Sequence, residues 1–283
     1  MRKIVTPTDF SDNAFNALHY AVELFKYEKC EFFLLHAYAD EVYKEEFLTN
    51  EQNENLKASI HSSSERKLLE ILEKIKEFSP NPRHSFKTFA IFGSLVDEVN
   101  DLVNSKNADL CVMGTRGMTN DRKLSFGSNT LLVLKYVQCP VLSIPENFKY
   151  NVPEKILFPT NYLIPYQKRE LKIISEIART YGTEVHLLYI SNFPVESYRQ
   201  KDNQIFIKEQ FLNIKYHCHQ VPETDKISAI TNFIEKMKID LLVMVNSRHT
   251  YLEDILLQGT IEKISLYPKI PFLVLQNFNR ECV

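Results

Sequence analysis

The sequence has 283 residues, of which 44% are hydrophobic and 25% charged, and its formal net charge at pH 7 is −2. At about 100–200 residues per domain, this length predicts two domains of ordinary globular composition. The near-neutral charge gives no reason to expect nucleic acid or an anionic membrane as a partner. The first residues lack the apolar region of a signal peptide, and no run of about 18 apolar residues occurs, so we expect a cytoplasmic protein without a membrane span.

Strand and helix patterns alternate along the first half of the chain. Short apolar runs predict five strands, at 3–6, 32–37, 85–92, 110–113 and 141–144. Four helices are predicted between these strands. The first begins at a cap, Ser11, and has apolar residues at helical spacing to Phe25; the second has the apolar series Leu68, Leu72 and Ile75 and ends near Pro80. The third begins with a capping box at Ser94–Asp97 and extends through Leu102, and the fourth covers residues 128–137. The polar stretch 40–66 is interpreted as a solvated helix or a mobile segment. This order predicts an α/β fold with a five-stranded parallel doubly wound sheet.

The same pattern is written twice. KIVTPTD recurs as KILFPTN, ADLCVM as IDLLVM, and CPVLSI as IPFLVL, in the same order in each half. A duplication of one domain therefore predicts domains at 1–147 and 153–283, with a boundary in the polar segment ENFKYNVPE.

Five cysteines occur without a C-x-x-C pair, and three lie in apolar runs, which favours small buried side chains in a reducing compartment.

Three of the six glycines lie in one segment, MGTRGMTNDRKLSFGSNT, between a predicted strand and a predicted helix. Glycine lets a backbone approach phosphate closely, and the free N–H groups of a helix start bind anions. The hydroxyl and amide side chains at the helix start add further donors. This context predicts a nucleotide site, with ordinary loop glycines and a helix cap as the alternative.

The spacing Gly114-x2-Gly117-x9-Gly127-Ser128 resembles the nucleotide loop of ATP-binding universal stress proteins. TPTDFS at the first strand and LLHAY at the second are similar to further signatures of that family, and the strand pattern resembles it over nearly the whole chain. The resemblance implies two tandem Rossmann-like domains of the adenine nucleotide alpha hydrolase-like type. It also implies ATP as the ligand, with accompanying Mg²⁺ left open.

The resemblance further implies roles for individual residues. Thr8 and Asp9 would face the adenine and ribose, Ala37 would offer backbone to the adenine edge, and Met113 would pack beside the base or ribose. The complete set expected to bind the nucleotide is Pro7, Thr8, Asp9, Ala37, Met113, Gly114, Arg116, Gly117, Gly127, Ser128, Asn129 and Thr130. Two alternatives stay open, a turn or helix-cap carboxylate for Asp9 and a solvated loop residue for Arg116.

The second copy departs from this pattern. Its counterparts of Asp9, Gly114 and Gly117 are Asn161, Val245 or Asn246, and Arg248 or His249, and only Gly259-Thr260 matches Gly127-Ser128. We therefore expect a degenerate second site and one nucleotide per chain. His217-Cys218-His219 places two imidazoles on one strand face, for which a polar face is the favoured interpretation and a metal site the alternative.

These features favour a nucleotide-responsive regulatory protein that acts through an unidentified protein partner. A slow ATPase or nucleotidyl transferase is the first alternative, although no P-loop and no G-x-S-x-G elbow occurs. A nucleotide-independent pseudo-dimer is the second. The resemblance implies that the final strands, 141–145 and 272–276, pair to make the fused chain an internal pseudo-dimer, and it leaves a further homodimer open.

Overall fold

A computed structural model describes residues 1–45, 48–115, 126–223, 225–247, 252 and 269–277. The chain divides into two compact units, the first extending to Tyr150 and the second beginning at Asn151. Within the described residues, no helix is long and apolar enough to cross a membrane.

The first unit contains five strands in the spatial order β3-β2-β1-β4-β5, and all of its neighbouring strands are parallel. Helices connect successive strands, and the strand order reverses between β1 and β4, as in a doubly wound sheet. The elements are β1 (Arg2–Pro7), α1 (Asp12–Leu24), β2 (Cys30–Ala37), α2 (Ala39–Val42), α3 (Asn50–Phe78), β3 (His84–Ile91), α4 (Leu95–Lys106), β4 (Leu110–Gly114), α5 (Ser128–Tyr136) and β5 (Val141–Ile144).

Buried apolar strands form the centre of this unit. Ile4 of β1 lies in register with Phe32 of β2 on one side and Leu110 of β4 on the other, and all three side chains are fully buried. Burying a side chain of this size contributes about 1.5–3 kcal/mol. The continuous apolar runs of the sequence therefore correspond to strands that are covered on both faces.

The predicted helix starts are confirmed at two serines. The Ser11 side chain accepts a hydrogen bond from the N–H of Ala14, and the Ser94 side chain accepts one from the N–H of Asp97. The expected capping box at Ser94 forms only in part. The Asp97 carboxylate accepts from the Ser94 hydroxyl at 2.6 Å. Asp is one methylene shorter than the Glu of a complete box, whose side chain accepts from the backbone N–H of the cap.

The helix expected around Leu68 begins much earlier than the apolar series indicates. It extends over 29 residues from Asn50, so most of the polar stretch 40–66 is helical. Thr49 and Gln52 form a complete capping box at its start. The segment contains neither glycine nor proline, and its polar residues are mostly exposed, so intrinsic propensity and the cap extend the helix beyond its buried face.

The second unit repeats the sheet with the order β8-β7-β6-β9-β10, again with parallel neighbours throughout. Residues 248–251 and 253–268 of this unit lie outside the described residues. The elements are β6 (Lys155–Pro159), α6 (Lys168–Tyr181), β7 (Glu184–Ile190), α7 (Tyr198–Gln210), β8 (Tyr216–Val221), α8 (Lys226–Met237), β9 (Leu241–Asn246) and β10 (Phe272–Gln276).

Three cysteines are buried free thiols, as their apolar surroundings predict: Cys30, Cys111 and Cys139. Burial raises the pKa of the Cys30 thiol to about 12, so this side chain stays protonated and unreactive near neutral pH. Cys218 is exposed, and Cys282 lies outside the described residues.

Candidate functional site

A cavity of about 400 Å³ opens at the carboxyl ends of the strands in the first unit. This is the switch point between β1 and β4, where open α/β sheets bind ligands. The volume lies in the range of small-molecule sites. The cavity brings together ten of the residues expected from the sequence: Pro7, Thr8, Asp9, Ala37, Met113, Gly114, Gly127, Ser128, Asn129 and Thr130. The other two, Arg116 and Gly117, lie outside the described residues.

A tight turn after β1 shapes the first wall of the cavity. The Thr8 hydroxyl accepts from the N–H of Phe10, and the Asp9 carboxylate accepts from both the N–H and the hydroxyl of Ser11. Phe10 adopts φ of 66°, a left-handed conformation that non-glycine residues rarely adopt. The Asp9 carboxylate therefore holds Ser11, the cap of α1, and its role towards a nucleotide stays a prediction.

The opposite wall is formed by β4 and the start of α5. The N–H of Gly127 donates to the carbonyl of Thr115 at 2.8 Å and closes the base of the loop. The buried Thr130 hydroxyl donates to the carbonyl of Gly114 at 3.1 Å, which fixes α5 against β4. The Thr130 hydroxyl proton is thus used inside the protein, although the sequence predicts a donor to the ligand at this position.

Packing within the fold explains why position 114 is a glycine. A Cβ atom at this position would lie 2.5 Å from Nδ2 of Asn13 and 3.2 Å from its backbone oxygen. The absence of a side chain at Gly114 therefore allows α1 to pack against the end of β4.

The N-terminus of α5 has no side-chain cap, unlike those of α1, α3 and α4, which have Ser11, Thr49 and Ser94. Gly127 occupies the cap position with φ of −64° and ψ of 154°, which any residue could adopt. The first-turn N–H groups of a helix lack partners in the helix and carry a partial positive charge. This helix start lines the cavity without a competing carboxylate or hydroxyl cap.

Several cavity residues were not predicted from the sequence. His36 is buried, its Nδ1 lies 2.8 Å from the carbonyl oxygen of Thr8, and its Nε2 lies 2.9 Å from Oε1 of Glu41. It thereby joins the turn after β1 to α2. The sequence signal for His36 was a polar residue inside the otherwise apolar run FFLLHA. The other cavity-lining residues that were not predicted from the sequence are Ala14, Asp40, Lys44 and Leu95.

The second unit has only a remnant of this cavity, about 10 Å³ among the described residues. Pro159, Thr160 and Asn161 line it as Pro7, Thr8 and Asp9 line the first. Seven residues after the proline, the first unit has Ala14 and the second has Tyr166. The Tyr166 hydroxyl lies 2.5 Å from the Thr160 hydroxyl oxygen, and the side chain is 7% exposed. Ala14 lies within the first turn of α1, whereas Tyr166 precedes α6, and its ring lines the small cavity of the second unit.

The expectation of a degenerate nucleotide site in the second unit rests on loop residues of which only some are described. Val245 lines the remnant cavity as the counterpart of Gly114, and Asn246 donates to the Gln276 side chain. Arg248, His249, Gly259 and Thr260 lie outside the described residues.

Three histidines form a stacked cluster on β7 and β8. His186 lies in register with His217, with ring centroids 5.1 Å apart, and its Nδ1 lies 3.0 Å from Nε2 of His219. Glu184 lies 3.3 Å from His217 and also pairs with Lys215. No group of three or more potential ligands among the described residues has an arrangement that could hold a metal ion.

Burial and the neighbouring imidazoles lower the pKa of His186 to about 4, and burial likewise lowers the pKa of His219. The short contact between the two rings requires one N–H donor and one bare nitrogen acceptor. Protonation of both rings would leave no acceptor nitrogen and would break this contact.

Two parallel α/β units, of which the first has a cavity at its switch point, define a tandem Rossmann-like protein. The sequence model of the universal stress protein family matches residues 1–145, just over half of the chain. The chain therefore belongs to this family.

Two curated relatives match half of the chain. A universal stress protein of Methanocaldococcus jannaschii is 29% identical over 145 residues, covering 51% of this chain and 82% of the relative. One from Bacillus subtilis is 28% identical over 144 residues, covering 50% and 97%. A solved universal stress protein structure from Archaeoglobus fulgidus superposes over 98% of both chains with a TM-score of 0.68 at 19% identity, which shows that the tandem fold is shared.

The contact between Gly114 and Asn13 predicts the effect of Gly114→Ala. The added methyl group pushes α1 away from β4, so we expect the first unit to lose about 2 kcal/mol of stability. Urea denaturation followed by circular dichroism measures this loss, with Gly182→Ala as a control. Gly182 has φ of 69°, and a Cβ atom there would meet no other atom within 4 Å, so its cost is conformational strain alone. An unchanged unfolding midpoint for Gly114→Ala would contradict the packing role.

The histidine cluster predicts a pH dependence for the second unit. Because the folded-state pKa of His186 is lowered, stability is fully present above the unfolded pKa of 6.5 and is lost as pH falls towards about 4. We expect a loss of about 2 kcal/mol over this range. Hydrogen exchange of peptides from β7 and β8, corrected for intrinsic rates, measures it.

His186→Phe should remove most of this pH dependence, because it replaces the buried imidazole with an apolar ring. His61→Gln, which changes a half-exposed histidine on α3, should leave the pH dependence unchanged. If the His186→Phe variant loses protection at low pH as strongly as the wild-type chain, the cluster is not its source.

Proposed function

We propose that this protein is a nucleotide-responsive regulator that binds one ATP in the cavity of its first unit. The observation that carries the proposal is the uncapped start of α5 at the edge of a 400 Å³ cavity. A phosphate group would complete the hydrogen bonding of this helix start and lie at its positive end. The family membership supports the same assignment.

The chemistry of the cavity wall supports a nucleotide rather than a simple anion. Met113, Ala37 and Leu95 offer apolar surface on one side, and Ser128 and Asn129 offer polar groups at the helix start. An adenine nucleotide combines an apolar ring with a charged phosphate chain and matches both surfaces. Gly127 has a backbone conformation open to all residues, so a close approach of the phosphates is the reason we propose for a glycine there.

Charged side chains near the cavity suggest where the parts of the nucleotide lie. Asp40 and Glu41 come from α2, close to the strand ends, and carboxylates are suitable partners for ribose hydroxyl groups. Lys44 is the one cation among the described residues that line the cavity. Divalent Mg²⁺ would offset the repulsion between these acids and the phosphate chain.

Signalling through a protein partner in the cytoplasm completes the proposal. Binding of ATP would place a phosphate at the start of α5, whose Gly127 N–H is tied to the carbonyl of Thr115 directly after β4. A ligand changes an equilibrium only by its differential affinity for two states. The partner would recognise the surface of the first unit in its nucleotide-bound state.

We expect a stoichiometry of one ATP per chain. The first unit has a cavity of about 400 Å³, whereas the described residues at the strand ends of the second enclose about 10 Å³. Isothermal titration calorimetry of the full chain with ATP and Mg²⁺ measures this value directly. Two equal sites per chain would contradict the asymmetry between the two cavities.

The Asn129→Asp variant should lower the affinity for ATP while it raises the stability of α5. An acid in the first turn of α5 favours the helix by about 0.5 kcal/mol through the macrodipole. The same carboxylate should repel the phosphate chain and weaken ATP binding about tenfold or more. Calorimetry and thermal denaturation together measure the two opposite effects. Asn129→Ser, which keeps a small polar side chain, should bind ATP within a few-fold of the wild-type chain. Equal affinity of the Asp variant would place the phosphates elsewhere.

A further inference from the structure

A second concave site lies between α6 and α7 of the second unit, away from the strand ends. This groove has a volume of about 400 Å³, which is the size of a small-molecule site rather than of a protein interface. Its floor is Ser175, which is 8% exposed and donates to the carbonyls of Leu171 and Gln210. The hydrogen bond to Gln210 joins the two helices beneath the groove.

Cations dominate the lining of this groove. Lys168, Arg169, Lys172 and Arg179 all come from α6, whereas Glu209 is the single carboxylate among the described lining residues. Lys168, Lys172 and Arg179 lie on one stripe of α6, at spacings of four and seven residues, and span roughly 16 Å along the helix. Nε of Arg179 donates to the carbonyl of Ser175, which holds the guanidinium over the groove.

Two lysines of this stripe are unfavourable for the helix itself. Lys168 in the first turn opposes the helix macrodipole and is repelled by Lys172 four residues later, whereas Glu170 in the first turn and Arg179 in the last complement the macrodipole. One partial compensation is Glu176, whose carboxylate lies 3.8 Å from the exposed Lys172 ammonium, a pair that solvent screens. The counterpart helix α1, DNAFNALHYAVEL, contains no lysine or arginine, so the fold does not require the cations.

We propose that the groove between α6 and α7 binds a linear oligophosphate. A phosphate chain concentrates several negative charges in a small volume and presents oxygens in the geometry that arginine and lysine bind. Its described lining has two hydrophobic residues, Leu171 and Ile214, and no aromatic ring on which a nucleotide base could stack. Free oligophosphate is therefore the better match.

Titration of the full chain with tripolyphosphate tests this assignment, independently of the nucleotide cavity. The double variant Lys168→Gln/Lys172→Gln should bind about tenfold more weakly or worse, because two charge-assisted contacts are lost. The matched control Lys226→Gln/Lys236→Gln removes two charges from α8, outside the groove, and should keep the wild-type affinity. Added salt should weaken binding to the wild-type chain.

Three outcomes would overturn the proposal. The first is that the wild-type chain does not bind tripolyphosphate. The second is that the two double variants bind tripolyphosphate with equal affinity. The third is that the Lys168→Gln/Lys172→Gln variant still binds tripolyphosphate and that ATP displaces all of it. The last outcome would locate the phosphate chain in the first unit. Unchanged ATP affinity in the groove variant distinguishes the two sites, so failure of one proposal leaves the other standing.

Discussion

The turn that follows the first strand of each unit determines where the ligand cavity lies. In both copies a threonine hydroxyl accepts from the N–H two residues later, and the following aromatic residue takes a left-handed conformation, φ of 66° at Phe10 and 56° at Tyr162. Because the open and the filled unit share this strained turn, the strain belongs to the fold and not to ligand binding. The turn directs the chain into the next helix and leaves the carboxyl end of the strand accessible.

Beyond that turn, the two units differ in the side chains that lie beside it. Ala14 of α1 lines the cavity of the first unit, whereas the Tyr166 ring lines the small cavity of the second and its hydroxyl hydrogen bonds to Thr160. An aromatic side chain that buries its surface and satisfies its hydroxyl stabilises the second unit. Two copies of one domain can therefore use the same turn beside an open cavity in one case and beside a packed ring in the other.

Much of this fold was predictable because its signals are local. Apolar runs located the strands, and Ser11 and Ser94 located helix starts, since caps and burial patterns act over a few residues. His36 and Tyr166 were missed for the opposite reason. The parallel register of the first two strands brings His36 to Thr8, and only the tertiary fold places Tyr166 against Thr160. The start of α3 was missed because its first turns are helical without being buried.

The two units show how one architecture can accept different local charges. In the first, polar groups gather at the strand ends, where the switch point of the sheet has a cavity of about 400 Å³. In the second, the described residues at the strand ends enclose about 10 Å³, and the cations lie on a helix face whose counterpart α1 has none. Glu170 in the first turn and Arg179 in the last complement the helix macrodipole, and the Glu176 carboxylate lies 3.8 Å from the Lys172 ammonium. A bound phosphate chain, as proposed, would add compensation for Lys168 and Lys172, which lie four residues apart on the same stripe.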